Sequence, residues 1–155
     1  MIELHREYDP APFLLHRSPA LLIDSVWIDS ETRVCGRYRV RPVPVLGLTE
    51  YEVPGWLLIE LIAQVIATGA GMRGYRTGER PPIGLLTGVR NFELRKFPIT
   101  IGQCIEIVAD EALRDSRGFG IYDCEARIGL EQLATATLAV FLTESTESYL
   151  EGAVE

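Results

Sequence analysis

Glu60 and Gln64 stand four residues apart inside VPGWLLIELIAQVIATGAG, a run from Val53 to Gly71 that is apolar on nearly every side. On a helix that spacing stacks the carboxylate above the amide on a single face. A carboxylate taken out of water is expensive unless it is paired or used, because burial disfavours its charged form. Glu60 is therefore the first candidate for proton-transfer chemistry, with a hydrogen-bonded structural role as the alternative.

The run itself has to be a long helix. A membrane span needs about 20 apolar residues without charges, and this one carries Glu60 midway and ends in Gly69, Gly71 and Arg73. An all-round apolar helix in a globular protein is wrapped by other structure on all sides. Pro54 sits where such a helix can start, since its missing N–H would be unpaired there anyway. The glycines of GAGMRG, Gly69 to Gly74, imitate a dinucleotide fingerprint with Glu93 about 20 residues on. That fingerprint follows a strand and opens a helix, whereas here a helix precedes and a Gly/Pro-rich loop follows, so the glycines read as a helix terminus.

Around the helix the period falls to two. Ala20 to Asp29 is a short β-type run, and in Thr32 to Arg41 residues Val34, Tyr38 and Val40 alternate with Arg37, Arg39 and Arg41. Four more strands are predicted near Leu85–Lys96, Gln103–Leu113, Gly118–Ile128 and Gln132–Leu142. The last three have connections too short for parallel crossovers and must form an antiparallel meander. One long helix with about six strands and no βαβ alternation is α+β, a curved antiparallel sheet wrapped around a buried helix. Residues 1–155 read as a single domain, with an acidic tail from about residue 143.

Composition excludes several functions. The net charge of −7 argues against general nucleic-acid binding. The positive charge that exists is concentrated, and Arg33, Arg37, Arg39 and Arg41 share one strand face, either as a solvated surface or as a landing patch for an acidic partner. Cys35, Cys104 and Cys124 are odd in number, far apart and without CxxC spacing, as expected of small core residues in a reducing compartment. MIELHREYDP is too polar for a signal peptide, so the expected location is the cytoplasm. Two isolated histidines and scattered cysteines make no metal-ligand cluster.

Three segments in series suggest a family. FLLHRSPALLIDSV (Phe13 to Val26), PGWLLIELIAQ (Pro54 to Gln64) and VRNFELRKFPITIGQCIEI (Val89 to Ile107) resemble, in order and approximate spacing, the hotdog-fold 3-hydroxyacyl-[acyl-carrier-protein] dehydratases. Well-known members carry a catalytic histidine in an HFPG segment just before the helix, where this chain reads VPVLGLTEYEVPG. The chain is most similar to a divergent subgroup of predicted dehydratases from aryl-polyene type lipid pathways, whose helix likewise opens PGW-x-x-IE-hydrophobic-x-AQ.

The resemblance implies a hydro-lyase that converts 3-hydroxyacyl-ACP to trans-2-enoyl-ACP in a fatty-acid or polyene type synthesis. Such a reaction needs a base for the C2 proton, an acid for the departing C3 hydroxyl and donors for the enolate-like thioester oxygen. By resemblance Glu60 is the acid, kept protonated by burial, and Gln64 belongs to the substrate site. Backbone N–H groups at Gly55 and Trp56 could hold the thioester oxygen, since first-turn amides have no helical partner. His16 is the candidate base, as the one imidazole in ordered sequence; His5 lies in a polar arm, and Glu50 and Glu52 are weaker substitutes at the place of the missing histidine.

No cofactor is implied beyond the phosphopantetheine of an acyl carrier protein. That acidic partner would meet Arg37, Arg39 and Arg41, with Arg90, Arg95 and Lys96 as further contacts. A homodimer, or a heterodimer with another hotdog dehydratase, is implied as well. Two other readings stay open: a non-catalytic hotdog subunit that binds acyl-ACP or pairs with an active dehydratase, and a hotdog acyl thioesterase in which Glu60 directs a water.

Overall fold

The computed structural model describes residues 1–44, 47, 54–95 and 99–143. Glu50, Glu52, Lys96 and the acidic tail lie outside the described residues. Six strands form one sheet: β1 (Ser25–Ile28), β2 (Arg33–Arg39), β3 (Ile83–Leu94), β4 (Cys104–Arg114), β5 (Phe119–Ile128) and β6 (Glu131–Thr143). Their order is β1-β2-β4-β5-β6-β3, and every neighbouring pair is antiparallel. The helix α1 (Trp56–Tyr75) packs across the inner face, as the change of period predicts, and β4, β5 and β6 make the expected meander.

Close approach between helix and sheet is built from small residues. Ala109, Cys124, Ala126 and Ala136 lie on the inner face, where larger side chains would push α1 outward. Two glycines interlock the layers: a Cβ on Gly36 of β2 would stand 2.5 Å from Val65 Cγ2, and one on Gly69 of α1 would stand 2.8 Å from Val34 Cγ2. Each glycine receives a valine of the facing element. This corrects the reading of Gly69 to Gly74 as a terminus, because the helix runs on to Tyr75. Gly71 is tighter still, since its Cβ would fall 1.8 Å from the Phe13 carbonyl oxygen.

By length and composition α1 could cross a membrane, but 67% of its most apolar window is buried within this chain. It is also less enclosed than its composition predicts. Leu57, Leu58, Leu61, Ile62, Val65 and Ile66 are buried, whereas Ile59, Glu60, Ala63 and Ala67 form a half-exposed strip. The apolar character of that strip marks a surface that nothing among the described residues covers.

The two ends of the sheet differ. The short β1 is flanked by the N-terminal arm, where Tyr8 and Val26 exchange backbone hydrogen bonds and the His5 N–H reaches the Ile28 carbonyl. At the other end no strand pairs with the outer edge of the twelve-residue β3 among the described residues. Leu86 and Val89 on this strand are exposed.

On the outer face Trp27, Cys35 and Val108 make a second, small buried cluster. The Arg37 guanidinium roofs it, 4.8 Å from the Trp27 ring centroid. Burial, helped by Asp29 and Glu106, pushes the Cys35 thiol up to about 12. Burial likewise raises the Cys124 thiol, on the inner face. Both cysteines are core residues, as the sequence suggests.

Candidate active site

Glu60 and Gln64 share the predicted helical face, but their environments differ. Gln64 is wholly buried, and every polar hydrogen and the oxygen of its amide are engaged. Its Oε1 accepts the Leu22 N–H at 2.9 Å, while Nε2 donates to the Ala20 carbonyl at 2.8 Å and to Glu60 Oε1 at 2.8 Å. Gln64 thus stands behind Glu60, holding the carboxylate on one side and the chain at residues 20–22 on the other. The Glu60 side chain is 42% exposed. The expectation of a buried carboxylate is corrected accordingly: it belongs to the uncovered strip of α1 and looks into a cleft.

His16 meets it there. Its Nε2 lies 3.5 Å from the same Glu60 Oε1, with the imidazole 40% exposed. Arg17 fixes the approach of this segment by donating from Nη1 to the carbonyls of Leu14, at 2.8 Å, and of His16, at 2.7 Å. His5 is elsewhere, paired with Asp29 at 3.1 Å.

A strap of chain links this pair to the basic strand. Ala20 to Asp24 was expected to begin β1, but its hydrogen bonds go sideways until the Asp24 N–H reaches the Arg37 carbonyl of β2, at 2.7 Å. Leu22 offers its N–H to Gln64 and its carbonyl to Arg41 Nη2, at 2.8 Å. Asp24 pairs with Arg41 Nη1 at 3.0 Å and accepts the Arg39 N–H at 2.6 Å. The pairing of β1 therefore starts only at Ser25. No sequence period reveals such a strap, because its work is done by backbone groups that meet the side chains of Gln64, Asp24 and Arg41.

Two cavities flank the His16–Glu60 pair. One, about 260 Å³, runs along α1 past Ala63 and Ala67 and is walled by Leu14, Ile83, Leu85 and Leu142. The other, about 370 Å³, lies toward the helix start between Trp56, Ile59, Ala20 and Leu22. Trp56 is 53% exposed and Gly55 immediately precedes the helix. The amides of Leu57 and Leu58 turn back to the carbonyls of Pro54 and Gly55. A thin apolar chain with a polar group near one end could therefore pass the acid–base pair with an apolar wall on one side and the helix start on the other.

The arginines occupy the outer face, with Arg41 just beyond β2. They are already engaged. Arg33 pairs with Asp110 at 2.8 Å, Arg37 with Glu7 and Glu106, and Arg41 with Asp24. Arg39 donates to the Gly102 carbonyl at 2.9 Å and has no carboxylate partner among the described residues. Among the described residues no group of three His, Cys, Asp or Glu side chains is placed to hold a metal.

The chain is similar in structure to the dehydratase heterocomplex ApeI:P from Xenorhabdus doucetiae, with a TM-score of 0.84, 23% identity and coverage of 97% of this chain and 100% of that one. A hypothetical thioesterase protein from Streptococcus pneumoniae, solved with coenzyme A, aligns with a TM-score of 0.55 and 15% identity over 73% of this chain and 80% of that one. Cj0977, a sigma28-regulated virulence protein of Campylobacter jejuni, aligns at 0.62 with 11% identity over 88% and 96%. These likenesses establish the hotdog fold expected from the sequence. No curated protein sequence matches. A family model described as ApeP dehydratase, ApeP-like, matches residues 8–151.

Proposed function

The chain belongs to the ApeP-like dehydratase family, and from that premise we propose that it removes water from 3-hydroxyacyl thioesters carried by an acyl carrier protein, giving the trans-2-enoyl product. The observation that carries this reading is the meeting of His16 and Glu60, 3.5 Å apart at the mouth of an apolar cleft. Both come from one chain.

The chemistry follows from two proton movements. Neutral His16 removes the C2 proton through Nε2, and the electron pair moves to the thioester carbonyl. Glu60 in its acid form gives a proton to the C3 hydroxyl, the C3–O bond breaks, water leaves and the C2–C3 double bond forms. The enzyme is then left with imidazolium and carboxylate. Because the two groups already face each other, a proton returning from His16 to Glu60 restores the starting state. Amides at Gly55 and Trp56 are the candidates to stabilise the thioester oxygen, where the helix dipole favours negative charge.

The partners follow in the same way. A second hotdog protein, either another copy or a different dehydratase as in the ApeI:P heterocomplex, would cover the open strip of α1 and pair with the free edge of β3. The carrier protein would approach the basic side of the strap, with Arg39 as its principal contact and Arg37 and Arg41 beside it. Beyond the carrier's phosphopantetheine no cofactor is required by this chemistry.

The test is a mass-spectrometric assay on 3-hydroxyacyl carrier protein, with the wild type alone and mixed with a hotdog dehydratase. Catalysed loss of one water, strongly reduced in Glu60→Gln and in His16→Ala, supports the pair as acid and base. Loss that survives His16→Ala removes the base assignment; release of free acid identifies a thioesterase instead. Failure of every chain length in both settings leaves a non-catalytic subunit.

A further inference from the structure

Among the described residues nothing requires Gly84 to lack a side chain. Its backbone is not in the positive-φ region that favours glycine. It lies in β3 opposite Leu142 of β6, and a Cβ there would stand 3.6 Å from Leu142 Cδ2 and 3.7 Å from Ala67 Cβ, which are ordinary contacts. Gly36, Gly69 and Gly71 behave differently, since a Cβ on any of them would overlap a neighbour at 2.8 Å or less. Glycine weakens a strand and often marks a place where something else approaches closely. At Gly84 no described residue makes that approach.

The space left open belongs to the apolar cavity beside Glu60. Glu60, Ala63 and Ala67 follow one another at three- and four-residue steps along one face of α1 and line the cavity floor, while Gly84 faces Ala67 from β3. We propose that Gly84 and Ala67, side by side in the cavity wall, leave open a throat that sets how long an acyl chain the site accepts. Its ligand is a linear, apolar acyl chain, since among the cavity residues only His16, Glu60 and Gln64 carry polar side chains, and these gather at one end. The inference rests on the acyl-thioester reading above and adds the residues that select among such substrates.

The throat lies seven helical residues beyond Glu60, about 10 Å along the axis. An extended chain advances ~3.5 Å for every three bonds, so about eight or nine bonds separate the reacting carbons from the throat. Shorter chains end before it, and longer ones must pass over the two small residues, which stand side by side in the cavity wall.

The experiment compares kcat/KM for 3-hydroxyacyl carrier protein bearing chains of about six and about fourteen carbons, lengths that fall on either side of the throat. Wild type, Gly84→Val and Ala67→Leu are used, each in the assembly that is active. Isothermal titration with non-reactive acyl-pantetheine analogues of both lengths runs in parallel. The expected result is a fall of about 10-fold or more in the long-to-short ratio for both variants, in turnover and in affinity, which is the size of effect that a few methylenes produce in an apolar pocket. Gly84→Ala, whose Cβ makes only ordinary contacts, should fold as the wild type does and shift the ratio in the same direction by less.

Equal losses for both lengths, or an unchanged ratio, overturn the throat and leave the dehydratase reading standing. A changed subunit affinity with an unchanged ratio would show instead that a partner side chain fills the space, which also overturns it. If no chain length is dehydrated, the functional reading fails by itself, and the two analogue affinities still decide whether the throat measures length.

Discussion

Gln64 Nε2 lies 2.8 Å from the same Glu60 oxygen that faces His16 Nε2 at 3.5 Å. One amide therefore sets both the direction of the carboxylate and the course of the chain that leads from His16 to β1. Gln64→Leu is expected to lower stability by roughly 1–3 kcal/mol, because it strands the buried Leu22 N–H, whereas the exposed Ala20 carbonyl can turn to water. Activity should fall further than the folded fraction does. Urea unfolding and turnover measured on the same preparations check this, and a variant of wild-type stability would show that residues 20–22 are held by other means.

Gly71 gives a sharper stability test. Replacing a helical glycine with alanine normally gains about 1 kcal/mol, yet here the new Cβ would meet the Phe13 carbonyl oxygen at 1.8 Å. Backbone overlap cannot be relieved by a rotamer, so Gly71→Ala should destabilise by about 3 kcal/mol or more despite its better propensity. The denaturation midpoint reports the sign directly. A midpoint at or above that of the wild type would contradict the close packing of α1 against the turn at Ala11–Phe13.

Alkaline pH should loosen the fold through its thiols. The Cys35 thiol is held at about 12 against an ordinary 9.0, so between these values the unfolded chain loses a proton that the folded chain keeps. Stability is then unaffected by this group below about pH 9 and declines as pH rises toward about 12. Cys124, raised by its own burial, acts in the same direction. Melting temperature scanned from neutral to alkaline pH should slope downward in the wild type and less steeply in Cys35→Ala; parallel slopes would remove Cys35 as the cause.

The arginines should separate by partner. Arg41→Ala breaks the contacts to Asp24 and to the Leu22 carbonyl and is expected to cost about 1–2 kcal/mol, with turnover reduced through a slackened strap. Arg39→Ala loses one exposed bond to the Gly102 carbonyl and should change stability by less than about 0.5 kcal/mol. Its effect should appear as a raised KM for carrier-bound substrate at low salt that disappears at high salt. If KM for the carrier-bound substrate is insensitive to both Arg39 and salt, the carrier protein docks elsewhere.

Much of this architecture was legible in the sequence because it is periodic. The alternation in Arg33–Arg39, the meander β4 to β6 and the helix over Trp56–Tyr75 each repeat a burial pattern along the chain. The open strip of α1 was not legible, since an apolar residue looks the same in sequence whether its own fold or another molecule covers it. For that reason Glu60 read as buried. The strap escaped because Leu22 and Ala20 act through backbone groups, which any residue type supplies. His16 and Glu60 lie 44 positions apart, and only the folded chain measures the distance between them.

The contrast between the two ends of the sheet limits how these chains can assemble. β1 is flanked by the arm through Tyr8 and His5, whereas among the described residues no strand lies beyond β3. A subunit with a single adhesive border terminates growth as soon as that border is used. Pairing through β3 alone would therefore close at two chains, whether alike or different, and would offer no route to an open-ended fibre.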